Sequence, residues 1–257
     1  MQLSPLEIDR FRQRGFAAID RLIDDSTVAM LRRAYDELLN ASVAAPFDRQ
    51  LGDITRQVMY PALTHPVFDD NAALQAGIEI AKQLYGAPCA ARTFDMLIYK
   101  PPGHPHATPW HQDHSYSKRP VQDAGVPIPR GLSQFWVALD DADLDNGCMC
   151  FLPGYHEKPL LPHEVVSGDA EMDERLLAIV DVENQVNLST AVPCPLAAGG
   201  CTIHTYGTPH YTPPNRTKDR PRRAYIFNII AGGPEVSSIG PTLHARLQTL
   251  VESTQKP

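Results

Sequence analysis

The sequence lacks the long apolar run, the basic excess and the cysteine pairs that would assign it to several common protein classes. No stretch approaches the ~20 apolar residues of a membrane helix. The amino terminus is polar and carries no apolar secretion segment. The formal net charge is −7, which argues against a general nucleic-acid binder because such proteins usually present a basic face. We therefore expect a cytoplasmic protein that binds neither membranes nor nucleic acids.

Cysteine is also scarce. The five cysteines are an odd number and include no C-x2-C pair. A zinc site would have to combine Cys148, Cys150, Cys194 and Cys201. No suitably spaced histidine accompanies them, so buried, reduced cysteines on strands are the favoured interpretation.

The pattern of apolar and turn residues divides the chain into a helical part and a part with many short strands. Apolar periodicity and capping residues predict helices over residues 3–15, 24–39 and 71–85, a short strand over 16–19, and an irregular stretch over 56–68. From about residue 92, short apolar runs alternate with Pro, Gly, Asn and Asp, which is typical of a sandwich or barrel. The predicted strands are 94–99, 110–113, 132–139, 148–152, 185–192, 201–206 and 222–230. We predict one domain over 1–257, with a helical part at about 1–90 and a β-barrel core at about 91–235.

A histidine and a carboxylate separated by one residue stand beside a proline-rich loop. On an extended strand His111 and Asp113 would point the same way, since side chains alternate between faces. Two imidazoles and one carboxylate leave open positions on a metal, which suits Fe(II) enzymes that use O2. The spacing is weak on its own, because His104 with His106, or His111 with His114, could also form a ligand pair.

The third ligand has two candidates, His204 and His210. His204 lies in an apolar run and is most simply a buried or supporting histidine, whereas His210 is followed by Thr212 on the same predicted face. Further on, Arg222 would point into the barrel. A buried guanidinium requires an anionic partner, and its planar fork suits a carboxylate. This combination favours a small carboxylic acid bound next to the metal.

Several motifs in order resemble the phytanoyl-CoA dioxygenase family of Fe(II)- and 2-oxoglutarate-dependent oxygenases. They are Lys100-Pro101-Pro102-Gly103, His111-Gln112-Asp113, Trp136 ahead of Asn146-Gly147-Cys148, Leu152-Pro153-Gly154-Tyr155-His156, His210 to Asn215, and Arg222-Arg223-Ala224. They extend over about 130 residues, and the helical amino-terminal third is also similar. The resemblance implies an α+β, mainly β fold: a double-stranded β-helix (a cupin-like jelly-roll barrel) with supporting amino-terminal helices.

The resemblance also implies roles for particular residues. His111, Asp113 and His210 would bind iron, and Arg222 would hold the distal carboxylate of 2-oxoglutarate. The remaining cosubstrate-pocket residues would be Thr212, where the family usually has Ser, Trp136, Met96 and, as a looser match, Arg56. The interval from Asn215 to Arg222 is about one residue longer than the family pattern, so Arg220 and Arg223 are alternatives to Arg222.

The implied reaction uses Fe(II), 2-oxoglutarate and O2, with ascorbate as a helpful additive, and releases succinate and CO2. Because Asp113 is present, hydroxylation, desaturation or ring formation is expected rather than halogenation. The alternatives are a cupin-type metal enzyme that does not use 2-oxoglutarate and a non-catalytic binding protein on the same fold. The small-molecule substrate is expected at loops 104–109, 115–131 and 155–183. Polar candidates there are Tyr116, Lys118, Arg119, His156 and His163.

Overall fold

The computed structural model describes residues 1–40, 48–51, 55–117, 130–171, 175–239 and 245. Five α-helices lie in these segments: α1 (Pro5–Arg14), α2 (Asp25–Leu39), α3 (Pro66–Asp69), α4 (Ala72–Tyr85) and α5 (Val182–Gln185). In the same segments, no helix is long and apolar enough to span a membrane.

The three predicted helices are confirmed, and each begins at a residue whose side chain caps it. The Ser4 hydroxyl oxygen accepts a hydrogen bond from the Glu7 backbone N–H, and the Glu7 carboxylate accepts one from the Ser4 backbone N–H, which is a capping box at the start of α1. Gly15 ends this helix in the left-handed region with φ 82°. Asp24 caps α2 and Asn71 caps α4 in the same way as Ser4.

Thirteen strands are described. They are β1 (Phe16–Ile19), β2 (Asp48–Leu51), β3 (Thr55–Met59), β4 (Cys89–Lys100), β5 (Thr108–His111), β6 (Leu132–Ala138), β7 (Met149–Phe151), β8 (His163–Ser167), β9 (Leu176–Ile179), β10 (Val192–Cys194), β11 (Cys201–Thr205), β12 (His210–Thr212) and β13 (Arg222–Gly232). They form a seven-stranded sheet in the order β1-β11-β6-β13-β4-β3-β2, a four-stranded sheet in the order β10-β7-β12-β5, and the hairpin β8-β9. All pairs are antiparallel.

Side-chain alternation along the strands of the large sheet builds two separate cores. On β13, Tyr225, Phe227 and Ile229 pack with the helices on the outer face. Ala224 and Ile226 face the small sheet instead. Helix α4 approaches β13 closely at Gly77, where an added Cβ would lie 2.6 Å from the Phe227 ring. The helices therefore hold the large sheet from behind, and its other face is left for the site.

Three predicted segments differ from the structure. The stretch 56–68 is not wholly irregular, since β3 occupies its start. The predicted strand 185–192 is wrong: α5 ends at Gln185, and Asn187 caps a 3-10 turn over Leu188–Thr190. The hairpin β8-β9 lies in a region expected to be loop. These short elements depend on turn chemistry and partner strands, which an apolar run does not encode.

Candidate active site

The two candidate histidine ligands lie opposite each other on neighbouring strands of the small sheet. His111 ends β5 and pairs in register with His210, the first residue of β12. The sequence predicted a strand over 110–113, but β5 ends at His111, and Asp113 begins a 3-10 helix over Asp113–Ser117. The chain turns after His111, and this turn, not strand alternation, brings the carboxylate to the two imidazoles.

The distances among these side chains suit a shared ion. Asp113 Oδ1 lies 3.7 Å from His111 Nε2 and 3.5 Å from His210 Nε2. One ligand atom from each of the three residues lies within 4.8 Å of the others. Within the described parts of the chain, this is the one group of three or more His, Cys, Asp or Glu side chains with such spacing.

Backbone carbonyls fix the orientation of both imidazoles. His111 Nδ1 lies 2.7 Å from the Pro109 carbonyl oxygen, and His210 Nδ1 lies 3.0 Å from that of Thr208. If each Nδ1 carries the proton and donates it, each Nε2 has its lone pair directed toward Asp113. A metal-binding histidine commonly has this arrangement.

The protonation states also favour metal binding. Burial lowers the pKa of His111 and holds that of His210 well below its ordinary value, which favours the neutral form of each ring. Burial opposes ionisation of Asp113, but the surrounding His210, His204 and His111 outweigh it and keep the pKa of this carboxyl low. Neutral imidazoles and an ionised carboxylate are the forms that bind a divalent cation.

A fourth side chain, His204, contacts the carboxylate from behind. Its Nε2 lies 3.1 Å from Asp113 Oδ2, the oxygen opposite the one nearest the two ligand imidazoles. His204 is fully buried on β11. The structure therefore agrees with the sequence-based interpretation of His204 as a buried or supporting residue, and His210 is the histidine that groups with His111 and Asp113.

The segment between the ligands is fixed by contacts that the sequence did not reveal. The Gln112 backbone N–H donates to His163 Nε2 at 3.0 Å, and its side-chain amide donates to the Gly207 carbonyl at 2.7 Å. Gln112 Oε1 also accepts a hydrogen bond from the Leu161 backbone. His163, a candidate for substrate contact, is instead buried and supports the turn that carries Asp113.

A cavity of about 430 Å³ lies between the two sheets beside these ligands. Its lining includes His111, Asp113 and His210 and four of the five residues predicted for the cosubstrate pocket, namely Met96, Trp136, Thr212 and Arg222. In register, Met96 and Trp136 both pair with Ile226 of β13, so the three form one row across the cavity face of the large sheet.

Arg56, the fifth predicted pocket residue, is not among the lining residues. Its guanidinium pairs with Asp48, with a closest contact of 2.5 Å, and donates to the Leu39 carbonyl. The neighbouring Gln57 lines the cavity instead. Because successive residues of β3 face opposite sides of the sheet, only one of these two neighbours can reach the site.

Arg222 and Arg175 are the arginines that line the cavity among the described residues, and Arg222 lies on β13 beside Trp136. It is 1% exposed, and its Cζ lies 5.5 Å from the centre of the Trp136 ring. Its Nε has no hydrogen-bond partner in the described structure. Arg220 pairs with Asp143, and Arg223 pairs with Asp140 and Asp36, so both alternatives are engaged elsewhere. Among the described residues, no carboxylate forms an ion pair with the buried Arg222 guanidinium.

The residues predicted to contact the substrate lie in different parts of the structure. Tyr116 lines the cavity, as does Arg175, which the sequence did not single out. His156 contacts the Arg12 carbonyl of α1. Lys118 and Arg119 lie outside the described residues. His104 and His106 contact each other beside the site. The five cysteines are free thiols, four of them buried.

Most of the chain is similar to one protein family. The family model for phytanoyl-CoA dioxygenase (PhyH) matches residues 11–224. The chain belongs to this family. Rat peroxisomal phytanoyl-CoA dioxygenase is 23% identical over 188 residues, which cover 67% of this chain and 53% of the rat protein. A zebrafish phytanoyl-CoA dioxygenase domain-containing protein 1 is 29% identical over 135 residues, covering 52% of this chain and 43% of that protein. This chain thus spans about half the length of these relatives.

A solved structure is similar over more of its length. EvdO2 from Micromonospora carbonacea var. aurantiaca, complexed with 2-oxoglutarate, is 32% identical with a TM-score of 0.73. The similarity covers 90% of this chain and 92% of EvdO2. These findings confirm the resemblance and the jelly-roll fold that it implied. The predicted oxygenase class, with iron and 2-oxoglutarate as cofactors, agrees with the family and with this neighbour.

Proposed function

We propose that this protein is an Fe(II)- and 2-oxoglutarate-dependent dioxygenase that hydroxylates a small molecule. The observation that carries the proposal is a buried His-Asp-His cluster in the same cavity as Arg222, a cation with no anionic partner in the described structure. When bound, Fe(II), 2-oxoglutarate and O2 supply the oxidation, with succinate and CO2 as co-products. The protein's part is to bind, orient and shield these reactants.

The metal would be held by His111, Asp113 and His210. Their Nε2 and carboxylate oxygen atoms converge, and the three residues leave further coordination positions open toward the cavity. His204 would keep the Asp113 carboxylate in its orientation through Oδ2.

The cosubstrate would extend from the metal toward Arg222. A guanidinium and a carboxylate form paired, charge-assisted hydrogen bonds, and the buried surroundings strengthen them. Thr212 would contribute its hydroxyl to the same carboxylate, with Trp136 and Met96 forming the walls. A cupin-type enzyme without 2-oxoglutarate has no need of this unpaired cation, which is why that alternative is disfavoured.

The other end of the cavity would receive the substrate. Gln57 and Asn228 line it, and both are at least 95% buried. Asn228 donates to the Tyr206 hydroxyl, but its own amide oxygen has no partner in the described structure. A substrate with a hydroxyl or N–H group would satisfy it. With Asp113 present, the expected outcome is hydroxylation or a related desaturation or ring closure.

The same proposal includes a single domain over residues 1–257 and a cytoplasmic location. The two sheets share the cavity, which supports one functional unit, and five free thiols are consistent with a reducing compartment.

Anaerobic spectroscopy tests the proposal. Adding 2-oxoglutarate to the Fe(II)-loaded protein should produce the weak visible charge-transfer band of an iron–2-oxoglutarate chelate. Absence of the band, together with tight zinc binding, would favour a cupin-type metal enzyme. A band without succinate formation across a broad metabolite panel would favour a binding protein.

A further inference from the structure

A second cation, Lys100, lies behind the Arg222 site. The two residues are partners in register at the ends of β4 and β13. Lys100 is 0% exposed, and its Nζ contacts four oxygen atoms, all neutral. They are Thr212 Oγ1 at 2.8 Å, the Pro213 carbonyl at 2.9 Å, the His106 carbonyl at 3.2 Å and the Thr212 carbonyl at 3.3 Å. In the described structure, Lys100 makes no ion pair with a carboxylate.

The two cations are close enough to disfavour each other. Burial lowers the pKa of Lys100 to about 6, and the neighbouring Arg222 adds to the effect. Gly147 lies beside both side chains, since a Cβ added there would be in ordinary contact with Lys100 Cδ at 3.5 Å and Arg222 Nε at 3.6 Å. Two buried cations without an anion are costly unless a bound anion offsets them.

Thr212 connects Lys100 to the cavity. A carboxylate bound at Arg222 would favour the protonated form of Lys100, whose three N–H protons then face the four surrounding oxygen acceptors. Thr212 Oγ1 accepts one of these hydrogen bonds while the Thr212 side chain lines the cavity with Arg222. The hydroxyl proton of Thr212 is consequently available to an acceptor in the cavity.

We propose that Lys100 is a positioning residue for the distal carboxylate of 2-oxoglutarate, acting through Thr212. It holds Thr212 Oγ1 as an acceptor, so that the hydroxyl donates to the carboxylate, and it places a second positive charge behind Arg222. This role rests on the proposed 2-oxoglutarate chemistry, and it assigns Lys100 to binding of the distal end of the cosubstrate, not to the reacting end.

Removing the lysine should redirect the Thr212 hydroxyl. The Thr212 and Pro213 carbonyls would lose their ammonium donor, and they would then compete for the hydroxyl proton. The carboxylate would lose one charge-assisted hydrogen bond and a nearby positive charge. From the strength of such bonds, the dissociation constant of 2-oxoglutarate should rise by about 10- to 100-fold.

The experiment compares two keto acids in the Fe(II)-loaded, anaerobic protein. 2-Oxoglutarate has the distal carboxylate, whereas 2-oxobutyrate has the same keto-acid end and lacks it. Both dissociation constants are measured from the visible band for wild type, Lys100→Met, Thr212→Val and the double variant. Lys100→Gln, which keeps a hydrogen-bond donor without the charge, is measured in parallel in case Lys100→Met fails to fold. Lys82→Met, on the exposed side of α4, is the matched control.

Lys100→Met should weaken 2-oxoglutarate binding by the stated factor, and Lys100→Gln, which loses only the charge, by a smaller factor that still exceeds about twofold; both should leave the affinity for 2-oxobutyrate within about twofold of wild type. The double variant should be weakened much less than the product of the two single effects, because both act on one hydroxyl. Unchanged 2-oxoglutarate affinity, or equal weakening of both keto acids, would overturn the role of Lys100. A wild-type protein that binds neither keto acid would instead refute the proposed function.

Discussion

Replacing Arg222 by methionine should stabilise the ligand-free protein while it abolishes tight binding of 2-oxoglutarate. Methionine retains an apolar stem against Trp136 and removes the buried charge. The opposite signs of the two effects make this variant informative, because a residue kept only for packing would lose stability on replacement.

The magnitude follows from the surroundings of the guanidinium. Burial lowers the pKa of Arg222 from its ordinary value to about 10, which corresponds to roughly 3 kcal/mol against the charged form. Part of this gain is lost with the packing of the guanidinium on Trp136. We expect the free energy of unfolding to rise by about 1–3 kcal/mol. Loss of two charge-assisted hydrogen bonds should raise the dissociation constant of 2-oxoglutarate by at least about 100-fold.

The assay combines urea denaturation of the metal-free protein with anaerobic 2-oxoglutarate titration. Arg223→Met is the matched control, because this neighbouring arginine pairs with Asp140, which is 8% exposed, and with Asp36. The control should lose roughly 1–3 kcal/mol of stability and keep most of its 2-oxoglutarate affinity. If Arg222→Met is destabilised and binds 2-oxoglutarate normally, the reasoning about an unpaired cation is refuted.

Three further predictions follow from other parts of the structure. Burial raises the pKa of Asp95 to about 7, so its contribution to stability is present at low pH and lost as the pH rises through 7. In denaturant titrations, the free energy of unfolding of Asp95→Asn should therefore exceed that of wild type by roughly 2–4 kcal/mol at pH 8 and by little at pH 4. Equal differences at both pH values would contradict this. Gly147→Ala would place a Cβ 2.9 Å from a backbone carbonyl oxygen at a position whose φ is +103°. It should lower the free energy of unfolding by more than the ~1–2 kcal/mol expected for Gly86→Ala, where nothing lies within 4 Å of the added Cβ. Similar urea midpoints for the two variants would count against the close-packing argument. His210→Ala should abolish iron-dependent succinate formation and weaken Fe(II) binding, whereas His106→Ala should leave both intact; retained activity in the former would remove His210 from the ligand set.

The parts of the fold that could be predicted from the sequence depend on local signals. Helix α1 carries its own start at Ser4 and its own stop at Gly15. A capping residue acts on backbone groups within three or four positions, so reading the sequence in order is sufficient. Hairpin β8-β9 has no comparable signal, because its strands are defined by each other.

The candidate site also has parts that local motifs indicate and parts that depend on contacts between distant segments. Sequence motifs point to His111, Asp113 and His210, which the structure brings together, but the turn that carries Asp113 depends on Gln112 and His163, which are 51 positions apart. Similarly, which side chain of β3 enters the cavity is decided by the register of β3 against β4. The loose motif match at Arg56 could not determine whether Arg56 or Gln57 faces the cavity. Pairings between distant segments are what the linear sequence left open.

The central claim is tested most directly by anomalous X-ray diffraction at the iron edge from crystals grown anaerobically with Fe(II) and 2-oxoglutarate. The account predicts one iron peak bound by His111, Asp113 and His210, with the distal carboxylate of 2-oxoglutarate on Arg222 and the Thr212 hydroxyl. Iron at another cluster, or 2-oxoglutarate absent from the cavity at saturating concentration, would contradict it.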